Sequence, residues 1–186
     1  MKLQACRSWL SLSLFSIFLF SCVIAQEGDK DAVKEFQDRI DNYLSAKKKK
    51  DVVQKPTDSP DKLAQQKQQT AEKSQQARPA AQRGDIFTPT VSAYFKKRIE
   101  TTLHGPEGSR VRASLRHAEP LPNVHLQVNA KYPKNLPLQS TPPTLLKNLP
   151  PLPRELQYRI VGSALVLYDM SAGLVVDFIP GAVPAA

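Results

Sequence analysis

The spacing of apolar residues changes near residue 119, and this change limits the chain to a mixed fold. Before that point apolar residues recur every three or four positions, which is the period of an amphipathic helix. After it they alternate with polar residues, which is typical of a half-buried strand. The sequence therefore predicts an α+β fold. N-terminal helices, an αα-hairpin and a third helix, are expected to pack on a small C-terminal antiparallel β-meander.

Two helices are predicted for the hairpin. The first spans Asp31 to Lys50, with an apolar face and with acidic residues crowded at its start. The second begins at Pro60, behind Ser59 as N-cap, and ends at Ala77. Because its apolar face is thin, we expect it either to pack lightly on the first helix or to lie largely exposed.

The third helix has the strongest local signals. Thr88-Pro89 combines a capping residue with a proline that favours the first helical turn, and Gly105 supplies a stop. Apolar residues recur at four-residue intervals between these signals. A further short helix is predicted over Ser109 to His117, with Val111 and Leu115 directed inward.

Strands are predicted in the C-terminal part. They are Val124 to Val128, Leu156 to Ile160, Ala164 to Tyr168 and Leu174 to Ile179. The last three are separated by turns at Gly162-Ser163 and at Asp169 to Gly173. The last two strands are apolar on both faces, so the N-terminal helices are expected to cover each side.

The connection between the first strand and the meander is rich in proline. Seven prolines fall within residues 131–153, so extended backbone is expected there, with one helical turn over Thr144 to Asn148. The predicted organisation is thus a signal peptide over 1–25, a partly exposed helical hairpin over 26–84, and an α+β domain over 85–186.

The first 25 residues have the features of a secretory signal peptide. Lys2 and Arg7 precede an uncharged apolar stretch from Trp9 to Phe20, which is too short to span a bilayer comfortably. Val23 and Ala25 are small enough for cleavage before Gln26. One alternative is an N-terminal anchor helix that is never cleaved. The other is a lipid anchor at Cys22, which follows Leu19-Phe20-Ser21, but the bulky Phe20 is atypical of a lipoprotein signal. We expect a soluble product in the periplasm or cell envelope, with no transmembrane helix in the mature chain.

Both cysteines, Cys6 and Cys22, lie within this signal region. A chain cleaved after Ala25 therefore has no thiol, although it enters a compartment that permits disulfides. Core packing must stabilise it, and cysteine-based catalysis or zinc binding is excluded.

Other patterns of catalytic or metal-binding residues are also missing from the sequence. His104, His117 and His125 have no zinc-binding spacing, and no nucleophile-elbow motif occurs. Asp169 is expected to cap a turn, and Asp177 to close a strand. We therefore predict a chain that is not an enzyme, and we assign no catalytic, cofactor-binding or metal-ligating residues and no cofactor.

The formal net charge of +9 favours contact with anionic partners. Lys47 to Lys50 and the set Arg110, Arg112 and Arg116 are candidates for binding an anionic envelope surface. For the lysine run, a solvated helix end is the preferred interpretation. Nucleic acid is set aside because the aromatic residues lie on predicted core faces and the destination is outside the cytoplasm.

The last fifth of the chain resembles the C-terminal β segment of the periplasmic nickel/cobalt homeostasis (RcnB-like) family, and also exported bacterial proteins of unknown function. The residues that carry this resemblance are Leu149-Pro150-Pro151-Leu152-Pro153, Tyr158-Arg159, Val161-Gly162, Leu165-Val166-Leu167, Asp169, Gly173-Leu174-Val175-Val176-Asp177 and Ile179. The resemblance implies a bacterial periplasmic setting and a small β unit. It does not imply metal binding, because the segment contains neither histidine nor cysteine.

The function predicted from the sequence is that of an exported, non-enzymatic envelope protein. It would be a binding or structural interaction module, whose partner is an unidentified envelope protein or an anionic surface. Two alternatives remain at this point: a periplasmic metal-responsive protein, and a binder of anionic envelope surfaces.

Overall fold

The computed structural model describes residues 13–49, 58–116, 124–133 and 137–184. Helices occupy most of the N-terminal part and strands most of the C-terminal part, so the predicted α+β class is confirmed. The elements are α1 (Ser13–Lys48), α2 (Pro60–Ala77), α3 (Pro89–His104), α4 (Gly108–Arg116), β1 (Ala130–Lys131), β2 (Gln139–Ser140), α5 (Pro143–Lys147), β3 (Leu156–Val161), β4 (Ala164–Asp169) and β5 (Leu174–Ile179).

The five strands form one antiparallel sheet in the order β1-β5-β4-β3-β2. The predicted meander is its centre, and the two short strands, which the sequence pattern did not predict, lie at its edges. Gly162 and Gly173 occupy the two meander turns with φ of 57° and 69°. This left-handed region favours glycine, so both turns use a residue suited to them.

Helices α2 and α3 begin and end where their local signals predict. The Thr88 hydroxyl accepts a hydrogen bond from the Val91 N–H at 3.3 Å, which confirms the expected N-cap. Helix α4 starts one residue before its predicted first residue, and α5 matches the expected helical turn.

Helix α1 is longer than predicted. It begins at Ser13 rather than at Asp31 and passes through the expected cleavage point after Ala25. No proline interrupts residues 13–48, and the single Gly28 lowers helix propensity by only about 1 kcal/mol. The acidic residues at Asp29 and Asp31 therefore did not mark a helix start. The predicted last residue, Lys50, lies outside the described residues.

One face of the sheet is covered by α1, α3 and α5. Phe36 from α1 contacts Phe95 from α3, with ring centroids 5.0 Å apart in an edge-to-face arrangement. Phe87 and Tyr158 complete this aromatic cluster. Helix α1 therefore belongs to the same hydrophobic core as the meander. This packing also positions the lysines in the last turn of α1.

The opposite face of the sheet is covered differently from the prediction. Segments of the connection between α4 and β3, with Val124, Leu126, Tyr132 and Leu138, pack there instead of the long helices. The expected strand over Val124 to Val128 was wrong, because these residues are irregular although their exposure alternates. The chain joins the sheet only after Asn129, whose φ of 61° redirects the backbone into β1.

Helix α2 lies partly against the sheet. Its C-terminal half buries Thr70, Ala71 and Ser74, and Ala71 packs with Ala172 and Leu174. Its N-terminal half does not pack in this way, and Leu63 is 58% exposed. Helix α2 also contacts α1, as the first predicted alternative stated, and its N-terminal half is exposed, as the second stated. Among the described helices, none is both long enough and apolar enough to cross a membrane.

Candidate functional site

A buried charged cluster joins the end of α1 to the β4–β5 turn. The Lys47 ammonium lies 2.6 Å from Asp169 Oδ2 and 2.5 Å from Ser171 Oγ, and the Tyr43 hydroxyl donates to Asp169 Oδ2 at 2.6 Å. Asp169 Oδ1 accepts hydrogen bonds from the backbone N–H groups of Ser171 and Ala172 and from the Ser171 hydroxyl. Every bond in this cluster connects elements that are distant in sequence or closes the turn.

The hydrogen bonding of this cluster is unsuited to nucleophilic catalysis. Burial raises the pKa of Asp169, but the hydrogen bonds from Lys47 and Tyr43 and the charge of Lys47 outweigh it, so the pKa lies below its usual range. The carboxylate forms an ion pair with the Lys47 ammonium, so the pair is held by mutual contacts. The Ser171 hydroxyl already donates to Asp169. The cluster therefore has the arrangement of a structural ion pair, although it places a lysine beside a serine.

This geometry tests two interpretations of the sequence. The predicted turn-capping role of Asp169 is confirmed by its bonds to the turn. The preferred interpretation of Lys47 as part of a solvated helix end was wrong, because the side chain reaches back to Asp169 and Lys47 is only 6% exposed. Lys48 and Lys49 are exposed, and Lys50 lies outside the described residues.

Asp177 is the second fully buried carboxylate. It is 0% exposed, and it accepts hydrogen bonds from the backbone N–H groups of Gly84, Ile86, Phe87 and Phe178 at 2.8–3.1 Å. The sequence interpretation of a strand-closing aspartate did not include this role. Asp177 holds the loop before α3 against the sheet, so its oxygen atoms are already used.

The remaining candidates are the three histidines and the arginine set. His104 contacts the Glu100 carbonyl, and His125 is exposed, whereas His117 lies outside the described residues. Within the described residues, no group of three histidine, cysteine or acidic side chains is placed to hold a metal ion. Of the arginine set, Arg112 donates to the Leu103 carbonyl and Arg110 lies 3.6 Å from Glu107.

A cleft of about 460 Å³ lies where the N-terminal half of α2 stands away from the sheet. One end of it is closed by the packing of Ala71 on Ala172 and Leu174. Gln75 and Asn129 hold the same end through side-chain hydrogen bonds to each other's backbone carbonyls at 2.8 and 3.2 Å. This α2 cleft is lined by Ala64, Gln65, Lys67, Gln68, Lys131, Tyr132, Pro133, Leu138, Tyr168, Ala172 and Gly173.

The less exposed residues of the lining form its apolar floor, and its exposed polar residues form the rim. The floor comprises Tyr132, Leu138, Tyr168, Ala172 and Gly173, and the rim Gln65, Lys67, Gln68 and Lys131. The rings of Tyr132 and Tyr168 meet edge to face, with centroids 6.4 Å apart. Burial raises the pKa of Tyr132, and the neighbouring Tyr168 raises it further. Burial also raises the pKa of Tyr168, against a lowering by Arg159. Both phenols are therefore neutral near pH 7, and the charged groups of the lining are Lys67 and Lys131.

A second cleft, of about 520 Å³, lies between β2, β3 and the proline-rich segment. Its charged residue is Arg159, whose guanidinium donates to Ser140 Oγ at 2.9 Å and to the Gln157 side-chain oxygen. The α2 cleft differs because its two ammonium groups are exposed, whereas the Arg159 guanidinium is partly buried and already donates to two side chains. For this reason the α2 cleft is the better candidate for a ligand.

No protein-family model matches the chain, and the searches of curated proteins and of solved structures likewise found no match.

The sequence pattern identified no site residues and did not predict the α2 cleft. One signal was present, because the thin apolar face of α2 indicated that part of the helix would lack a packing partner. Lys67 and Lys131 are 64 positions apart, and no local pattern brings them into one lining.

Proposed function

We propose that this chain is an exported, non-enzymatic binding protein of the bacterial cell envelope, which takes a small ligand into the α2 cleft. The observation that carries the proposal is the divergence of α2 from the sheet, which leaves an apolar floor beneath a polar rim. Small-molecule sites commonly combine such a concave apolar surface with a few polar groups, in volumes of about 300–1,000 Å³. The α2 cleft falls within this range.

The absence of enzymatic activity is part of the proposal. Among the described residues, the two buried carboxylates, which would be natural acid–base candidates, are Asp169 and Asp177. Each is saturated by hydrogen bonds that join distant segments, and neither lines the α2 cleft. A cleft with lysines, tyrosines and glutamines, and with no paired acid and base, is better suited to holding a ligand than to converting it.

Export and the cellular location rest on the N-terminal residues. The positive residues, the short apolar stretch and the small residue at Ala25 support secretion, with the periplasm or envelope as destination. The resemblance of the C-terminal β segment to exported periplasmic proteins agrees with this location.

Binding is tested with N-phenyl-1-naphthylamine, an uncharged probe whose fluorescence rises in an apolar site. The unmodified protein is expected to bind it, and Ala64→Trp is expected to weaken binding severalfold because the indole would fill the cleft from the exposed helix. Gln69→Trp is the matched control, since Gln69 is exposed on the same helix but does not line the cleft. Equal binding by both variants, or no binding by the unmodified protein, would refute the proposal.

A further inference from the structure

The charges that line the α2 cleft have one sign. Lys67 projects from α2 and Lys131 from the edge strand β1, and the lining includes no aspartate or glutamate. Nearby on α2, the Glu72 carboxylate accepts a hydrogen bond from Gln68 at 3.0 Å, but Glu72 is exposed and does not line the cleft. An uncompensated pair of ammonium groups beside an apolar floor creates a positive potential where a ligand would enter.

Lys67 is directed across the cleft rather than away from the protein. A Cβ atom added to Gly173 would lie 2.8 Å from Lys67 Cε and 3.4 Å from Lys67 Nζ. The lysine side chain therefore lies against the bare backbone of the β4–β5 turn. The same added atom would lie 3.5 Å from the Tyr168 hydroxyl, so an ammonium and a phenol converge at this turn. Glycine at position 173 leaves room for both.

On the other side of the cleft, strand pairing fixes the position of Lys131. It pairs with Leu174 in the register of β1 with β5, directly after the Gly173 turn. The next residue, Tyr132, donates its backbone N–H to the Gly173 carbonyl at 3.2 Å. Both lysines are thus arranged around one turn, with the tyrosine rings and Leu138 forming the apolar part of the lining.

From this arrangement we infer that the ligand of the α2 cleft is an organic anion with an apolar body. Its charged group lies between Lys67 and Lys131, and its apolar part lies on Tyr132, Leu138 and Tyr168. The inference rests on the proposed function and adds the chemical class of the ligand. A neutral apolar molecule would leave the two ammonium groups without a counter-charge, and a cation would be repelled by them.

Two probes that differ by one charged group test the inference. They are 1-anilinonaphthalene-8-sulfonate and its uncharged counterpart N-phenyl-1-naphthylamine, whose aromatic bodies are the same. The sulfonate is expected to bind more tightly and to lose affinity with added salt, because screening weakens contacts with exposed charges. Affinity for the uncharged probe is expected to stay constant with salt.

Lysine variants test which residues cause the tighter binding of the charged probe. Lys67→Gln and Lys131→Gln are each expected to weaken sulfonate binding about two- to fivefold, the range of exposed charge pairs, and to leave the uncharged probe unaffected. Lys62→Gln is the control, because Lys62 is an exposed lysine of α2 outside the cleft. Ala64→Trp is expected to weaken both probes.

The outcomes separate the inference from the proposed function. If Ala64→Trp weakens both probes but the sulfonate binds no better and ignores the two lysines, the cleft is a binding site and the anion inference is overturned. If Ala64→Trp affects neither probe, the cleft is not the site, and both the inference and the proposed function fail. Equal effects of Lys62→Gln and Lys67→Gln would also overturn the inference, since they would indicate net charge alone.

Discussion

The Lys47 ammonium and the Asp169 carboxylate form a buried ion pair at 2.6 Å, across 122 positions of sequence. The pair connects the last turn of α1 to the β4–β5 turn, which also forms one wall of the α2 cleft. Five further hydrogen bonds surround the pair. Asp169 accepts four of them, from the Tyr43 and Ser171 hydroxyls and from the backbone N–H groups of Ser171 and Ala172, and Lys47 donates the fifth to Ser171 Oγ. Breaking the pair should therefore loosen α1 from the sheet.

Lys47→Met is expected to destabilise the protein by about 3 kcal/mol at pH 7, because it leaves a buried carboxylate without its cation. Urea unfolding monitored by circular dichroism measures the change. Lys48→Met is the control, since Lys48 is exposed and should change the unfolding free energy by less than about 0.5 kcal/mol. A similar small effect of Lys47→Met would contradict the structural role of the pair.

The free energy of unfolding should also depend on pH, because the Asp169 carboxylate titrates. Its folded-state pKa lies below the unfolded value of about 3.9, so it contributes stability above that pH and loses it as pH falls through the folded pKa. In Lys47→Met two causes of the lowering are removed, and the stability difference between pH 7 and pH 3 should shrink. Unfolding curves at the two pH values provide the comparison. A pH dependence that is unchanged by Lys47→Met would contradict this origin.

Asp177→Ala is expected to cost at least about 3 kcal/mol, because it removes the acceptor of three backbone N–H groups in the loop before α3 and of one in β5. Asp177→Asn should cost less, since its side-chain carbonyl still accepts some of these bonds. Asp38→Ala serves as the control, as Asp38 is exposed on α1. Thermal unfolding ranks the three variants, and equal midpoints for Asp177→Ala and Asp38→Ala would show that the anchoring is unimportant.

Two glycine variants separate backbone strain from ligand binding. Gly162→Ala and Gly173→Ala both place a side chain at positive φ, so each should lose about 1 to 2 kcal/mol of stability. Only at Gly173 does the new methyl group meet Lys67, whereas the space around Gly162 is open within 4 Å. Gly173→Ala should therefore also weaken binding of 1-anilinonaphthalene-8-sulfonate, and Gly162→Ala should not. Equal binding by the two variants would argue against the position of Lys67 in the cleft.

Processing at the N-terminus gives a separate prediction. Protein purified from the envelope fraction is expected to begin at Gln26, which intact mass and N-terminal peptide sequencing establish. Ala25→Leu should slow this cleavage because the peptidase favours small residues there, and Cys22→Ser should leave the mature mass unchanged. A product that begins at an acylated Cys22 would instead support the lipid-anchored form.

The sequence alone was sufficient for the elements whose signals are local. Thr88-Pro89 and Pro60 mark helix starts because capping and the fixed φ of proline act within one turn. The meander follows from alternating residues in β3, from two short apolar runs, and from turns at Gly162 and Gly173. These signals were enough to predict the fold class and the order of the main elements.

Only the tertiary structure decided which polar groups became buried and where a cleft formed. Lys47 looked like one member of a solvated lysine run, and it is buried because Asp169, 122 positions away, provides its counter-charge. The edge strands β1 and β2 are two residues long and depend on pairing with β5 and β3 rather than on their own pattern. Lys67 and Lys131 share a cleft because α2 packs on the sheet only through its C-terminal half. Such pairings join residues that are distant in sequence, and local spacing carries no information about them.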